Sequence, residues 1–256
     1  MAQRVETEAV VIQRFPYGES SQIVHLLTAA LGRVAVMARG AWRAKNGYEG
    51  PLDLLVSGRV TISMIEGRDL GLLLARRITT NHPALRRDLV RHAAATQLLR
   101  RVLHFETVGG GGGTHALLER ALAALETIEP DRIVLLLLAF DLRLLAAHGL
   151  TPDVDRCIRC GSPRRLARFV DSCGGVVCVD CLERADEGAA IDGRTATLLR
   201  TLLAAPLRTV AAPATPILAR ARRLVDLHLA WHADAGSGRK PRAATRGSQR
   251  RSPRRG

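Results

Sequence analysis

A chain of 256 residues, 47% of them apolar, is long enough to bury one large core or two to three small ones, which excludes wholesale disorder. The formal charge is +14, but residues 236–256 hold eight basic residues and no acid, so the other residues carry only +6. Its most apolar run, IVLLLLAFDLRLLAAHGL, is broken by Asp141 and Arg143 before the ~18 to 20 residues a membrane span needs, and Glu6, Glu8 and Glu19 stand where a secretory leader would be apolar.

Residues 5–80 read as strands. VETEAVVIQRF and QIVHLLTA are rich in β-branched residues, GRVAVMARG alternates, and LLVSGRVTISMIE and DLGLLLARRITT follow after turn residues. Five short strands over residues 1–80 predict a small closed barrel of the OB type, with a small open sheet covered by helices on one face as the alternative. From Pro83 the apolar period becomes helical: PALRRDLVRHAAATQLLRRVL predicts one helix starting at the proline, with arginines on its outer face. Five glycines, Gly109–Gly113, mark a break. THALLERALAALETI and DRIVLLLLAFDLRLLAAHG predict two more helices, the second apolar all round and so central; DGRTATLLRTLLA and ATPILARARRLVDLHLAWHAD predict the last two. The fold class is therefore α+β: a five-stranded barrel, then a helical domain over 81–235 with a cysteine module inserted at 153–184. The tail, 236–256, is low in complexity and expected to be disordered.

All five cysteines lie between residues 157 and 181. The outer four are spaced Cys157-x2-Cys160-x17-Cys178-x2-Cys181. Each Cys-x2-Cys forms a knuckle whose sulfurs converge on one ion, and two knuckles give four-thiolate tetrahedral coordination, the preferred setting for structural Zn²⁺. The residues between them read as two short strands joined by a turn, a zinc-ribbon pattern. Clustered cysteines also fit metal better than disulfides in the cytoplasm, where the chain is expected. Cys173 is the spare; it could replace Cys178, but the five-residue step breaks the two-knuckle symmetry, and it is left free. A filled four-thiolate shell has no open position for catalysis. The competing zinc-deaminase pattern would use His104-x-Glu106 before a Cys-x2-Cys, but Arg156 stands where that pattern has proline, and the second cysteine pair would be left over.

In the strand region Arg39, Arg43 and Lys45 are interleaved with Trp42 and followed by Tyr48, while Arg14, Phe15 and Tyr17 lie at the first turn and Arg33 on the third strand. Cations that track phosphates beside aromatics that stack on bases suit a single-strand binder; a solvated charged face is the bland alternative.

Residues 9–45, AVVIQRFPYGESSQIVHLLTAALGRVAVMARGAWRAK, resemble the N-terminal segment of the RecO family of DNA repair and recombination mediators. Tyr17-Gly18-Glu19 with Ser21, Gly32 and the ARGAWR run carry the likeness, and GGVVCVDC in the cysteine module extends it. The resemblance implies an OB-fold that binds single- and double-stranded DNA, non-enzymatic annealing of strands coated by single-strand-binding protein, and help to RecA in company with RecR. It also implies a cytoplasmic, nucleoid-associated protein. The acidic tip of single-strand-binding protein is expected in an apolar, basic-rimmed pocket; Arg220, Arg222 and Arg223 beside Leu224 and Leu227 are candidates, though helix packing explains those leucines equally well. For the second strand in annealing, a helical face with Arg86, Arg87, Arg100 and Arg101, or the tail, is available. Trp42 and the arginine tail depart from the family pattern. A zinc-ribbon transcription or translation factor is the alternative function.

Overall fold

The computed structural model describes residues 2–43, 50–107, 113–184, 186–206 and 213–236; Lys45, Tyr48, most of the glycine run and the basic tail lie outside them. Strands β1 (Ala2–Tyr17), β2 (Ser21–Thr28), β3 (Gly32–Ala38), β4 (Ser57–Ile65) and β5 (Leu70–Thr80) close into a barrel in the order β1-β2-β3-β5-β4. The barrel, not the open sheet, is what forms. Closure depends on the length of β1, whose first half pairs with β4 and whose second half pairs with β2. A register shift between Val11 and Gln13 bends that strand around the corner, as bulges do.

Alternation along β2 and β3 turns Val24, Leu26, Val34 and Val36 into the barrel core. Val10, Ile12, Leu27 and Leu55 instead join a second core shared with the helices. That shared core seats the barrel on the helical region.

The single helix expected from Pro83 is two: α1 (Pro83–Arg87) and α2 (Leu89–Phe105). Asp88 interrupts it. Its backbone is extended, and its carboxylate accepts from the Val90 and Arg91 amides at 2.8 and 3.0 Å, so a residue in mid-pattern acts as an N-cap. Helices α3 (Gly113–Thr127), α4 (Ile133–Ala147), α5 (Gly193–Ala204) and α6 (Thr215–Gly236) follow. As its sequence predicts, α4 is buried almost all round.

The polar exception on α4 is Asp141, 1% exposed, which lies 3.3 Å from Arg101 of α2 and 3.0 Å from Arg222 of α6. Burial pushes its carboxyl up to about 6, while the two guanidiniums pull the other way. Asp226 bridges the same two arginines, so one charge network ties α2, α4 and α6 together.

The module between α4 and α5 is a three-stranded sheet, β6 (Leu166–Val170), β7 (Gly175–Cys178) and β8 (Ala189–Ala190), in the order β7-β6-β8. It packs on α6 through Phe169, whose ring meets His228 edge-on at 5.3 Å, and His228 Nε2 lies 2.9 Å from the Leu150 carbonyl.

Three helices end on an arginine from elsewhere in the chain. The last four carbonyls of a helix have no partner within it and sit at the negative end of its dipole, so a guanidinium fork suits them. Arg91 donates to Leu125 and Ile128 at the end of α3, and Arg143 to Leu202 and Ala205 at the end of α5. Arg33, on β3 of the barrel, donates to Leu103 at 2.8 Å and Glu106 at 3.2 Å at the end of α2. Replacing Arg33 with Met leaves these carbonyls unpaired and should cost about 1–3 kcal/mol, read as a lower urea midpoint. The same change should leave single-strand affinity intact. Unaltered stability with weakened binding would mean that this side chain contacts the nucleic acid instead.

Candidate functional site

The two knuckles converge. The sulfurs of Cys157, Cys160, Cys178 and Cys181 all lie within 4.8 Å of one another, and this is the cluster of metal-ligating side chains found among the described residues. Cys160 and Cys178 are 3.8 Å apart. A tetrahedral ion with Zn–S bonds of ~2.3 Å requires sulfurs about 3.8 Å apart, so the donor set fits Zn²⁺ in both chemistry and spacing. Cys173 stands outside the cluster, on the exposed turn between β6 and β7.

Local structure aims the thiols. Gly161, at φ +73°, lets the chain turn beneath the first knuckle so that its amide donates to the Cys157 carbonyl at 2.7 Å. Gly175 admits the close approach of that knuckle to β7: a Cβ there would meet Ile158 at 2.4 Å. Asp186 braces the far side, accepting two bonds from Arg159 at 2.7 and 2.8 Å and one from the Glu183 amide. The Glu183 amide and the Arg159 guanidinium hold its carboxyl below the usual range, so it is charged when it does this.

Without a cation the four thiols cannot ionise together. Burial opposes ionising Cys157, but the backbone amides of Cys178, Cys160 and Arg159 outweigh it and bring the thiol down to about 6. Cys181, bonded to Cys160 and Cys178, is pushed up to about 12. One thiolate forms readily, while hydrogen bonding among the thiols pushes Cys160 and Cys181 up, and a dication would take the place of their protons.

The deaminase pattern does not assemble. Glu106 is buried with its carboxylate 3.4 Å from His148, His104 is exposed on α2, and both Cys pairs belong to the one cluster.

On the barrel, strand register gathers part of the expected nucleic-acid set. Tyr17 pairs with Ser21, the Gly40 amide donates to the Ser21 hydroxyl at 3.4 Å, and the Trp42 amide donates to the Ser20 carbonyl at 3.1 Å. Tyr17, Arg39, Trp42 and Arg43 therefore share the end of the barrel where β1 turns into β2. Tyr17 and Trp42 are 53% and 52% exposed, too much for large aromatics without a partner. Phe15, 44% exposed, lies edge-on to His25 beside them. Neither Arg39 nor Arg43 makes a side-chain ion pair among the described residues.

Two expected members fall elsewhere. Arg33 sits about 20 Å along β3 from Arg39, against α2, and is a structural tie rather than part of this cluster. Arg14 spends its guanidinium on Asp53 at 3.0 Å. Lys45 lies outside the described residues.

The sequence reading missed the surface beside the cluster. Phe15 pairs with Ile23, Ile23 with Met37 and Met37 with Leu72, making an outward apolar row across β1, β2, β3 and β5. No core cluster of the described residues includes any of the four. The signal was present as alternation, but the outer positions of a barrel strand are expected to be polar and were passed over.

A closed five-stranded OB-type barrel joined to a helical bundle with a four-cysteine module defines a two-part architecture with a metal-ready site on the helical side. Residues 1–81 match the family description "Recombination protein O N terminal" and residues 88–241 match "Recombination protein O C terminal". The chain belongs to the RecO family of DNA repair proteins.

It is 33% identical over 234 residues to the DNA repair protein RecO of Myxococcus xanthus, covering 90% of this chain and 93% of that one. The RecO proteins of Streptomyces avermitilis (31% over 238 residues) and Cutibacterium acnes (29% over 237 residues) each match 90% of this chain and 94% of their own length. A role in DNA repair and recombination follows, and the transcription or translation factor alternative gives way to it. No described helix is long and apolar enough to cross a membrane.

Replacing Cys178 with Ser should remove bound zinc and destabilise the module, whereas Cys173→Ser should leave one zinc per chain, measured by metal analysis and thermal unfolding. Full zinc in the Cys178 variant and loss in the Cys173 variant would reassign the fourth ligand.

Proposed function

We propose that the chain is a recombination mediator of the RecF pathway that acts by binding rather than by catalysis. It holds single-stranded DNA at the exposed end of the barrel. Bases stack on Tyr17, Trp42 and Phe15 and continue onto the apolar row, while Arg39, Arg43 and Lys45 take phosphates. Duplex DNA is held by its backbone alone. The chain anneals complementary strands coated by single-strand-binding protein and, with RecR, helps RecA to load. Zn²⁺ on Cys157, Cys160, Cys178 and Cys181 serves folding. The gathering at one barrel end of exposed aromatics and of arginines that make no ion pair among the described residues is the observation that carries this reading. The mediator works in the cytoplasm, at the nucleoid.

The acidic tip of single-strand-binding protein docks in the cavity between α3 and α4 rather than on the α6 face. On α6, Arg220 is tied to Asp192, Arg222 to Asp141 and Asp226, and Leu224 is core. The α3/α4 cavity, about 560 Å³, has an apolar floor that includes Leu136 and Phe140, with Arg120 and Arg132 against the single acid Glu129 on its walls; Arg143 also lines it but is turned to the Leu202 and Ala205 carbonyls. Charge complementarity and an apolar floor are what an acidic, apolar-ended peptide requires.

Annealing of two complementary oligonucleotides, bare or coated with single-strand-binding protein, tests the proposal. The protein should anneal both. Trp42→Ala should weaken single-strand binding by roughly five- to a hundredfold, the worth of one stacked base, and slow both reactions. Arg120→Glu should slow only the coated one. No annealing by the parent chain would refute the mediator reading.

A further inference from the structure

We infer that His228 and His232 of α6 form a second metal site, which takes a late first-row divalent cation, Ni²⁺ or Cu²⁺, through two neutral imidazoles. The two stand four residues apart, so both project from one face of the helix, the face on which His228 meets Phe169 of the cysteine module. Their rings are perpendicular, at 88°, with centroids 4.5 Å apart. An imidazole bonded to a metal at ~2.0–2.1 Å has its ring centre about 3.2 Å from the ion, so two at a right angle stand about 4.5 Å apart. A tetrahedral ion would spread the centres to about 5.2 Å, so the spacing suits the square-planar or tetragonal geometry of Cu²⁺ and Ni²⁺ better than Zn²⁺.

The independent observation is the state of His228, which is 1% exposed. Its Nε2 lies 2.9 Å from the Leu150 carbonyl, which can only accept, so Nε2 carries the proton and Nδ1 a bare lone pair. That lone pair is buried, and no described group hydrogen-bonds to it. A buried acceptor without a partner is costly. An imidazole whose far N–H is fixed by a backbone carbonyl is also the form in which proteins present the other nitrogen to a metal. The other buried ring nitrogens without a hydrogen bond have different surroundings. Those of His82, His115 and His148 face Glu126, Glu119 and Glu106, and His25 lies in the field of Arg33. Desolvation holds both His228 and His232 below the usual imidazole range, so at neutral pH neither carries an extra proton for the ion to displace. His232 is only half-buried, so the ion enters from its side and water completes the shell. The chelate closes one turn of α6 and stiffens the helix on which the cysteine module packs.

The test uses the untagged full chain, saturated with zinc beforehand so that the four thiols are occupied, and titrates it with nickel chloride by calorimetry. The parent chain should take up one Ni²⁺ and keep its zinc. His232→Ala should weaken the nickel by at least about tenfold, the low end of what disturbing a metal's ligand set costs. His104→Ala, at an exposed histidine of α2, should leave it unchanged. In His228→Gln the amide still offers a donor to the Leu150 carbonyl but lacks the bare ring nitrogen. That variant should lose the nickel while unfolding near the parent's temperature. Before any nickel is added, NMR of the ring nitrogens should show His228 protonated at Nε2 alone, and nickel should then broaden the signals of both rings. No nickel uptake, uptake only at the expense of zinc, equal affinity in the His232 variant, or a His228 protonated at Nδ1 each overturns the inference.

Discussion

The guanidinium at a helix end is the interaction on which the arrangement of this molecule rests. Arg33, Arg91 and Arg143 each reach from one element to the unpaired carbonyls that close another. A lysine would offer a point charge; the arginine fork offers parallel donors to two carbonyls at once. Arg33 has the largest consequence because it joins the barrel to the bundle. Together with the shared core of Val10, Ile12, Leu27 and Leu55, it presses one end of the barrel against α2 and leaves the opposite end, with Tyr17 and Trp42, facing outward. The polarity of the barrel, one end structural and one end exposed, follows from that contact.

The same economy of charge ties several helix arginines to carboxylates among the described residues. Asp141 and Asp226 hold Arg101 and Arg222 between them, and the network would be expensive to break, since removing one partner strands the others in a buried site. The cysteine module answers a different difficulty. Its short strands bury only the small cluster of Cys157, Val170, Val177 and Cys178, beside four sulfurs that converge closely enough for one ion, and Phe169 inserts beside α6. Four converging thiols make the knuckles ready for a metal; packing holds the module to the bundle.

Much of this was legible in the sequence, for physical reasons. Strand alternation with turn residues marked five strands in the right places, and the Cys-x2-Cys spacing identified the four cysteines that converge because a knuckle is a local structure. The all-apolar face of α4 identified the central helix. What escaped was whatever depends on distant partners. Asp88 sits in an unbroken helical pattern, and only its side-chain capping shows that the helix restarts there. Arg33 looks in sequence like any other basic residue of the barrel, and its assignment to carbonyls 70 residues away is a tertiary fact. The two-residue β8 has no pattern to read, and the apolar row from Phe15 to Leu72 exists only once four strands are in register.

These constraints support one proposal: nucleic acid meets this protein at the barrel end that faces away from α2. Photo-crosslinking of a single strand carrying halogenated uracil, with the adducts mapped by mass spectrometry, reads that contact directly because aromatic side chains beside bases react preferentially. The arrangement predicts adducts at Tyr17, Trp42 and Phe15. Adducts confined to the cysteine module or to α4 and α5, with the barrel end unlabelled, would contradict it.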